Sequence, residues 1–290
     1  MRFLPSLLLV FLASCASGPK SVPKVVGLGD LAGELAKSDL VFFGEEHDNL
    51  LGHQQRFLLF QQLHARRPDM ILSMEMFARD VQEPLNQYLE GKIDEKSFLA
   101  KAKPWPQYAQ RYRPFVEYAR RHGLAVLAAN APRSMVRKMR KEGWEAIAKS
   151  PWVPRHCTAP KDLRWTKFKE AMSGHMSVSE ENLYKYYQAQ CLWDDCMAES
   201  IVDALAAARK KGRSPLVVHL VGKFHVEDQG GTLVKVLERM PELDAAVLTM
   251  RSQSNIARQA NGDWLLTLPL QPKPKMPRGH GKKKPTSAAK

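Results

Sequence analysis

Four stretches of this chain set ionisable groups where an apolar run stops. Leu40-Val41-Phe42-Phe43 turns abruptly into Gly44, Glu45, Glu46, His47, Asp48 and Asn49. Met70–Phe77 carries Glu75 near its end, Leu124–Ala129 leads into Asn130 and Arg133, and Leu216–Val221 leads into Gly222, Lys223, Phe224 and His225. Carboxylates beside imidazoles can exchange protons with a substrate. Two imidazoles and a carboxylate can also hold a zinc ion with one position open for water. Each stretch has a plainer reading. Glu45, Glu46 and Asp48 could cap the following helix, and Glu75 could be an exposed strand-end acid.

The elements that must position these groups follow from pattern. The apolar runs lack polar alternation, as strands buried on both faces do. Helical patterns separate them: one after Asn49 ending at Pro68, Arg79–Leu89, Asp94–Ala102, Tyr108–His122 closed by Gly123, and Ser134–Lys141. Another runs from Glu180 to about Lys211, with a further one over Thr232–Met240. Asp244–Met250 reads as a fifth strand and Trp264–Leu268 as an edge strand. Alternation of this kind predicts an α/β fold, a mainly parallel sheet of about five strands flanked by helices. Ser150–Ser179 reads as irregular, a lid or insertion. In such a sheet the carboxyl ends of the strands share one edge, where ligands bind. That edge would gather Glu45, His47, Glu75, Arg133 and His225. Tyr108 and Tyr112, and the cluster Tyr184, Tyr186 and Tyr187, would face the same cleft from helix starts.

The 290 residues carry a net charge of +14, and half of it sits in a tail after Pro272 that contains seven basic residues and no acid. The tail is expected to be a disordered, solvated end. No nucleic-acid-binding motif is present, so the charge implies no more than modest attraction to anions. Arg2 and the apolar run Leu7–Ala13 have the layout of a secretory signal too short to span a bilayer. Leu12-Ala13-Ser14-Cys15 matches the bacterial lipobox, which implies cleavage before Cys15 and its lipidation. The expected organisation is a signal over 1–14, a lipid-anchored linker over 15–30, an α/β domain over 31–270 with its lid at 150–179, and the tail at 271–290. Outside the reducing cytosol, thiols tend to pair. Cys191 and Cys196 point in different directions on one helical pattern, which leaves Cys157 to pair with one of them.

Taken in order, Gly44–Asn49, Ser73–Phe77, Trp105–Tyr112, Ala129–Arg133 and Val221–His225 resemble the ChaN family, haem-binding lipoproteins related to Tiki/TraB proteins and erythromycin-esterase-like enzymes. The resemblance spans most of Val41–Met250. It implies haem or iron acquisition at the cell envelope, most naturally at the outer membrane facing the periplasm, with a haem receptor or transporter as possible partner. It also implies haem ligation by a tyrosine across a homodimer. Tyr112 is the first choice for the iron and Tyr108 the second, because a phenolate suits ferric iron. Arg133 would compensate its charge, while His175 and Lys223 would meet propionates. The alternative is a metal-dependent hydrolase using Glu45, His47, Glu75 and His225, with zinc as the divalent metal. A third reading is a structural envelope protein tethered by Cys15.

Overall fold

Side chains of β1 (Leu40–Glu45) alternate between two apolar cores, and this alternation organises the molecule. Val41 and Phe43 join the core on one face, while Leu40 and Phe42 join the core on the other. The computed structural model describes residues 27–174, 178–227, 230–251, 255–258 and 264–267. The lipobox-like stretch with Cys15, His175 and the basic tail lie outside the described residues.

Strand β1 pairs in parallel with β4 (Leu216–Gly222) and β5 (Ala245–Arg251), and β4 pairs in parallel with β2 (Met70–Ala78). β2 in turn pairs in parallel with β3 (Ala125–Asn130). Two short strands extend the sheet beyond β5: β6 (Asn255–Arg258), which is antiparallel to its neighbour, and β7 (Trp264–Thr267). The strand order is β3-β2-β4-β1-β5-β7-β6. The five-strand parallel core is the predicted α/β sheet, and the described edge adds two strands to it.

One face is covered by α1 (Leu28–Leu35), α2 (Leu50–Arg66), α3 (Gln82–Leu89), α4 (Glu95–Ala102), α5 (Tyr108–Arg111) and α6 (Arg113–His122). The other carries α9 (Glu180–Arg209) and α10 (Gly231–Arg239). Two further helices, α7 (Arg133–Glu142) and α8 (Leu163–Met172), pack on the first half of α9. Burial of these apolar faces is the main force holding the layers together.

Three expectations are corrected. The single helix over Tyr108–His122 is two helices, because α5 ends at Tyr112 and Pro114 starts a new first turn in α6. The stretch Ser150–Ser179 is not wholly irregular, since α8 forms within it with Asp162 as its N-cap. Among its described residues, Met172 lines the cleft. Cys157, Cys191 and Cys196 are all free thiols, buried among acids and apolar groups that raise their pKa values.

The long helix α9 is tied to the end of β2 by Arg79. Its Nε donates to Ser200 Oγ at 2.8 Å, its Nη2 to the Cys196 carbonyl at 2.6 Å, and its Nη1 lies 3.1 Å from Glu199 Oε1. Arg79→Met keeps the volume and removes these bonds. Urea unfolding should show a loss of about 2–4 kcal/mol, with faster amide exchange in the middle of α9.

Candidate functional site

The parallel register sets the site. Glu45 stands opposite Gly222 in the β1–β4 pair, at the carboxyl ends of both strands. A register shift between β2 and β3 after Met74 turns the end of β2 and brings Glu75 to the same edge. Asn130 holds that turn: its side chain donates to the Glu75 carbonyl at 3.0 Å and accepts from the Ala131 amide at 2.8 Å.

Glu45 is fully buried, and it is the centre of a polar cluster. It ion-pairs with Arg56 of α2, which is itself 0% exposed. The Tyr112 hydroxyl donates to Glu45 Oε1 at 2.6 Å, and His47 Nδ1 lies 2.7 Å from the same oxygen. Burial alone would raise the carboxyl pKa, but Arg56, His47 and Tyr112 hold it down at about 2. His47 moves up, because its bond to Glu45 outweighs its partial burial. His53 falls to about 4 through burial and the adjacent Arg56, so it stays neutral.

A second cluster faces the first. Glu75 Oε2 accepts from the Gly222 amide at 2.6 Å, and its Oε1 lies 3.7 Å from His225 Nε2. The other nitrogen of His225, Nδ1, lies 2.7 Å from Asp194 Oδ1 on α9, which also accepts from Thr232 Oγ1 at 2.6 Å. Burial would lower the imidazole, yet Asp194 and Glu75 raise it to about 9. Two glycines make room for this packing. A Cβ on Gly222 would stand 3.0 Å from His47 Nε2, and one on Gly231 would stand 1.9 Å from Asp194 Oδ2.

Above both clusters opens a cavity of about 1180 Å³. Its walls include Trp105, Trp193, Phe224, Met76 and Met172. Lys101, Lys103, Arg133 and Arg137 also line it, and none of these four has an ion-pair partner among the described residues. Gln190 Oε1 on the same wall is buried without a hydrogen-bond partner. Apolar ring-sized walls beside these four cations suit a flat, anionic ligand.

The expected residues divide. His47, Glu75, Arg133, Lys223 and His225 line the cavity, with Lys223 paired to Glu46 at 2.9 Å. Glu45 also reaches it but is committed to Arg56 and Tyr112, so it is a buried support and not a free acid. The expectation that Tyr112 and Tyr108 face the cleft is corrected. Both are buried in the α5–α6 core, neither lines the cavity, and burial raises both phenol pKa values. An iron ligand must instead ionise and face its metal. The phenols of Tyr184 and Tyr187 are also spent, donating to the Ala159 and Pro160 carbonyls. No three His, Cys, Asp or Glu side chains among the described residues are grouped to hold a metal, so the zinc triad of His47, His225 and a carboxylate does not assemble. Sequence reasoning missed Arg56, Asp194 and the basic wall of Lys101, Lys103 and Arg137. Asp194-Asp195 inside an apolar helical pattern was the available signal, since buried acids need partners.

Two outcomes follow. Arg56→Met strands a buried carboxylate and should cost about 3–5 kcal/mol in chemical unfolding; the Arg56→Met/Glu45→Gln double variant should recover part of that loss. His225 has a folded pKa near 9 against an ordinary 6.5. Its contribution to stability is therefore complete below about pH 6.5 and lost as pH rises through about 9. Unfolding free energies measured from pH 6 to 10 should fall across that window in the native protein, and His225→Gln should flatten the fall. An unchanged slope would contradict the Asp194–His225–Glu75 coupling.

Comparison with known proteins agrees with this architecture. A chloroplastic protein of Arabidopsis thaliana, RETICULATA-RELATED 5, is 26% identical over 202 residues, which cover 65% of this chain. The match spans only 27% of that relative's own length. A solved structure described as cofacial haem binding to ChaN of Campylobacter jejuni superposes with a TM-score of 0.62 at 17% identity, covering 83% of this chain and 92% of the other, a likeness of fold. The family described as haem-binding uptake, Tiki superfamily, ChaN matches residues 31–236, most of the α/β domain and nearly all of its cavity wall. The chain belongs to the ChaN family of haem-binding uptake proteins within the Tiki superfamily.

Proposed function

We propose that this protein carries haem for haem or iron acquisition, with the macrocycle seated in the strand-edge cavity. The observation that carries this reading is the cavity wall of four cations without ion-pair partners among the described residues, together with Trp105 and Trp193. Lys101, Lys103, Arg133 and Arg137 would meet the propionates, and the indoles would cover the ring faces. Lys223 is a weaker contact because Glu46 already holds it. His175 remains a proposed contact from the segment between α8 and α9. Haem, when bound, would supply a ferric iron that this chain's own side chains would ligate or shield.

Among the tyrosines, Tyr186 is the proposed ligand. It is half-buried on α9, one turn before cavity-lining Gln190, and its hydroxyl bonds no described residue. The Arg140 guanidinium lies 3.8 Å from its ring centroid. In the homodimer reading the haem is shared with a second copy of the chain near this phenol, one helical turn from the cavity wall. The lipobox-like sequence supports anchoring through lipidated Cys15 at the outer membrane, with delivery to an envelope receptor or transporter.

The second reading is acid–base catalysis by His47, Glu75 and His225. It is favoured by the two carboxylate–imidazole pairs that face each other on the cavity floor. In that reading Glu45 and Asp194 orient the imidazoles, and the reaction would be hydrolytic.

Hemin titration separates the two. The native protein should show a high-spin ferric, tyrosinate-type spectrum that Tyr186→Phe abolishes and Tyr112→Phe leaves in place. Arg133→Ala should weaken hemin binding by about tenfold, a loss of about 1.4 kcal/mol. If His47→Gln removes the spectrum and Tyr186→Phe does not, the iron sits on imidazole and the tyrosine assignment fails.

A further inference from the structure

At the amino edge of the sheet, opposite the cavity, two helices end side by side. His64 lies in the last turn of α2 and His122 closes α6. Their ring centroids are 5.2 Å apart. Two imidazoles in neighbouring positions on one ion, each with a metal–nitrogen distance of about 2.0–2.1 Å, place their centroids about 4.5–5 Å apart.

Tyr118, one turn before His122, fixes both rings. Its hydroxyl lies 3.0 Å from His64 Nδ1, and its ring lies against His122 with centroids 4.1 Å apart. Tyr118 is itself held edge-on by Phe57 and Phe60. When His64 Nδ1 donates to the phenol oxygen, the lone pair of Nε2 is left for a metal, the arrangement that ligating histidines commonly show. Neither ring nitrogen of His122 bonds a described residue, and this ring is exposed. The one cation acting on Tyr118, Arg121, is exposed and turns its Nε back to the Glu117 carbonyl at 3.2 Å.

We propose that His64 and His122 form a surface site for a divalent transition ion, with Tyr118 as positioning residue and water in the remaining positions. Two neutral imidazoles favour copper(II) over nickel(II) and zinc(II). The site is independent of the haem cavity, since its helix ends lie at the other edge of the sheet.

The test is a copper(II) titration of untagged full-length protein against a competing chromogenic chelator, followed by electron paramagnetic resonance. One copper per chain with a two-nitrogen signature is expected. His122→Gln alters only an exposed ring, so the fold is kept; it should abolish that signature, as should His64→Gln. Tyr118→Phe should weaken binding by about tenfold. His156→Gln, at an unrelated exposed histidine, should leave affinity and spectrum unchanged. Native affinity and spectrum in His122→Gln would overturn the proposal, as would a signature lost equally in His156→Gln.

Discussion

The buried ion pair between Glu45 and Arg56 is the contact on which the rest of the site depends. Neither charge reaches solvent, so neither could be buried without the other. The pair fixes the end of β1 to the start of the helix that follows it. It also sets the charge of Glu45, which orients His47 from behind and accepts from Tyr112. Tyr112 sits where α5 breaks into α6, so the same carboxylate locates those helices as well. A single glutamate thus joins strand, helix and aromatic core.

Opposite it, the Asp194–His225–Glu75 line performs a similar task for the other face. Asp194 comes from the long helix α9 and Glu75 from a strand end, with His225 between them. The cavity floor is therefore assembled from both layers of the fold. Each layer contributes a carboxylate behind an imidazole. Gly222 lies between the two clusters, where its missing side chain lets His47 and Glu75 approach.

The walls and the floor of the cavity have different chemistry. The floor carries charges compensated within it, Glu45 by Arg56 and His225 by Asp194. The walls combine indoles with cations that have no ion-pair partner. A ligand that gains from both wall features is flat, apolar on its faces and anionic at its edge. Haem has that form, in keeping with the family to which the chain belongs.

The sequence by itself determined the sheet and its loaded edge. Apolar runs without alternation marked the five core strands, because a parallel strand buried on both faces must be apolar throughout. The abrupt change at Gly44–His47, and those at Glu75, Arg133 and His225, marked the edge, because strand ends are where backbone leaves the core. Tertiary structure decided which side chains at that edge are free. Tyr112 and Glu45 looked available from their positions along the chain, yet the phenol is spent on the carboxylate and the carboxylate on Arg56. Asp194, Gln190 and Trp193 were hidden inside one long helical pattern. Their direction depends on how α9 lies across the sheet, which no local spacing states. Burial and pairing are properties of the packed neighbours. The chemistry of a strand-end residue was therefore legible in the sequence, and its availability was not.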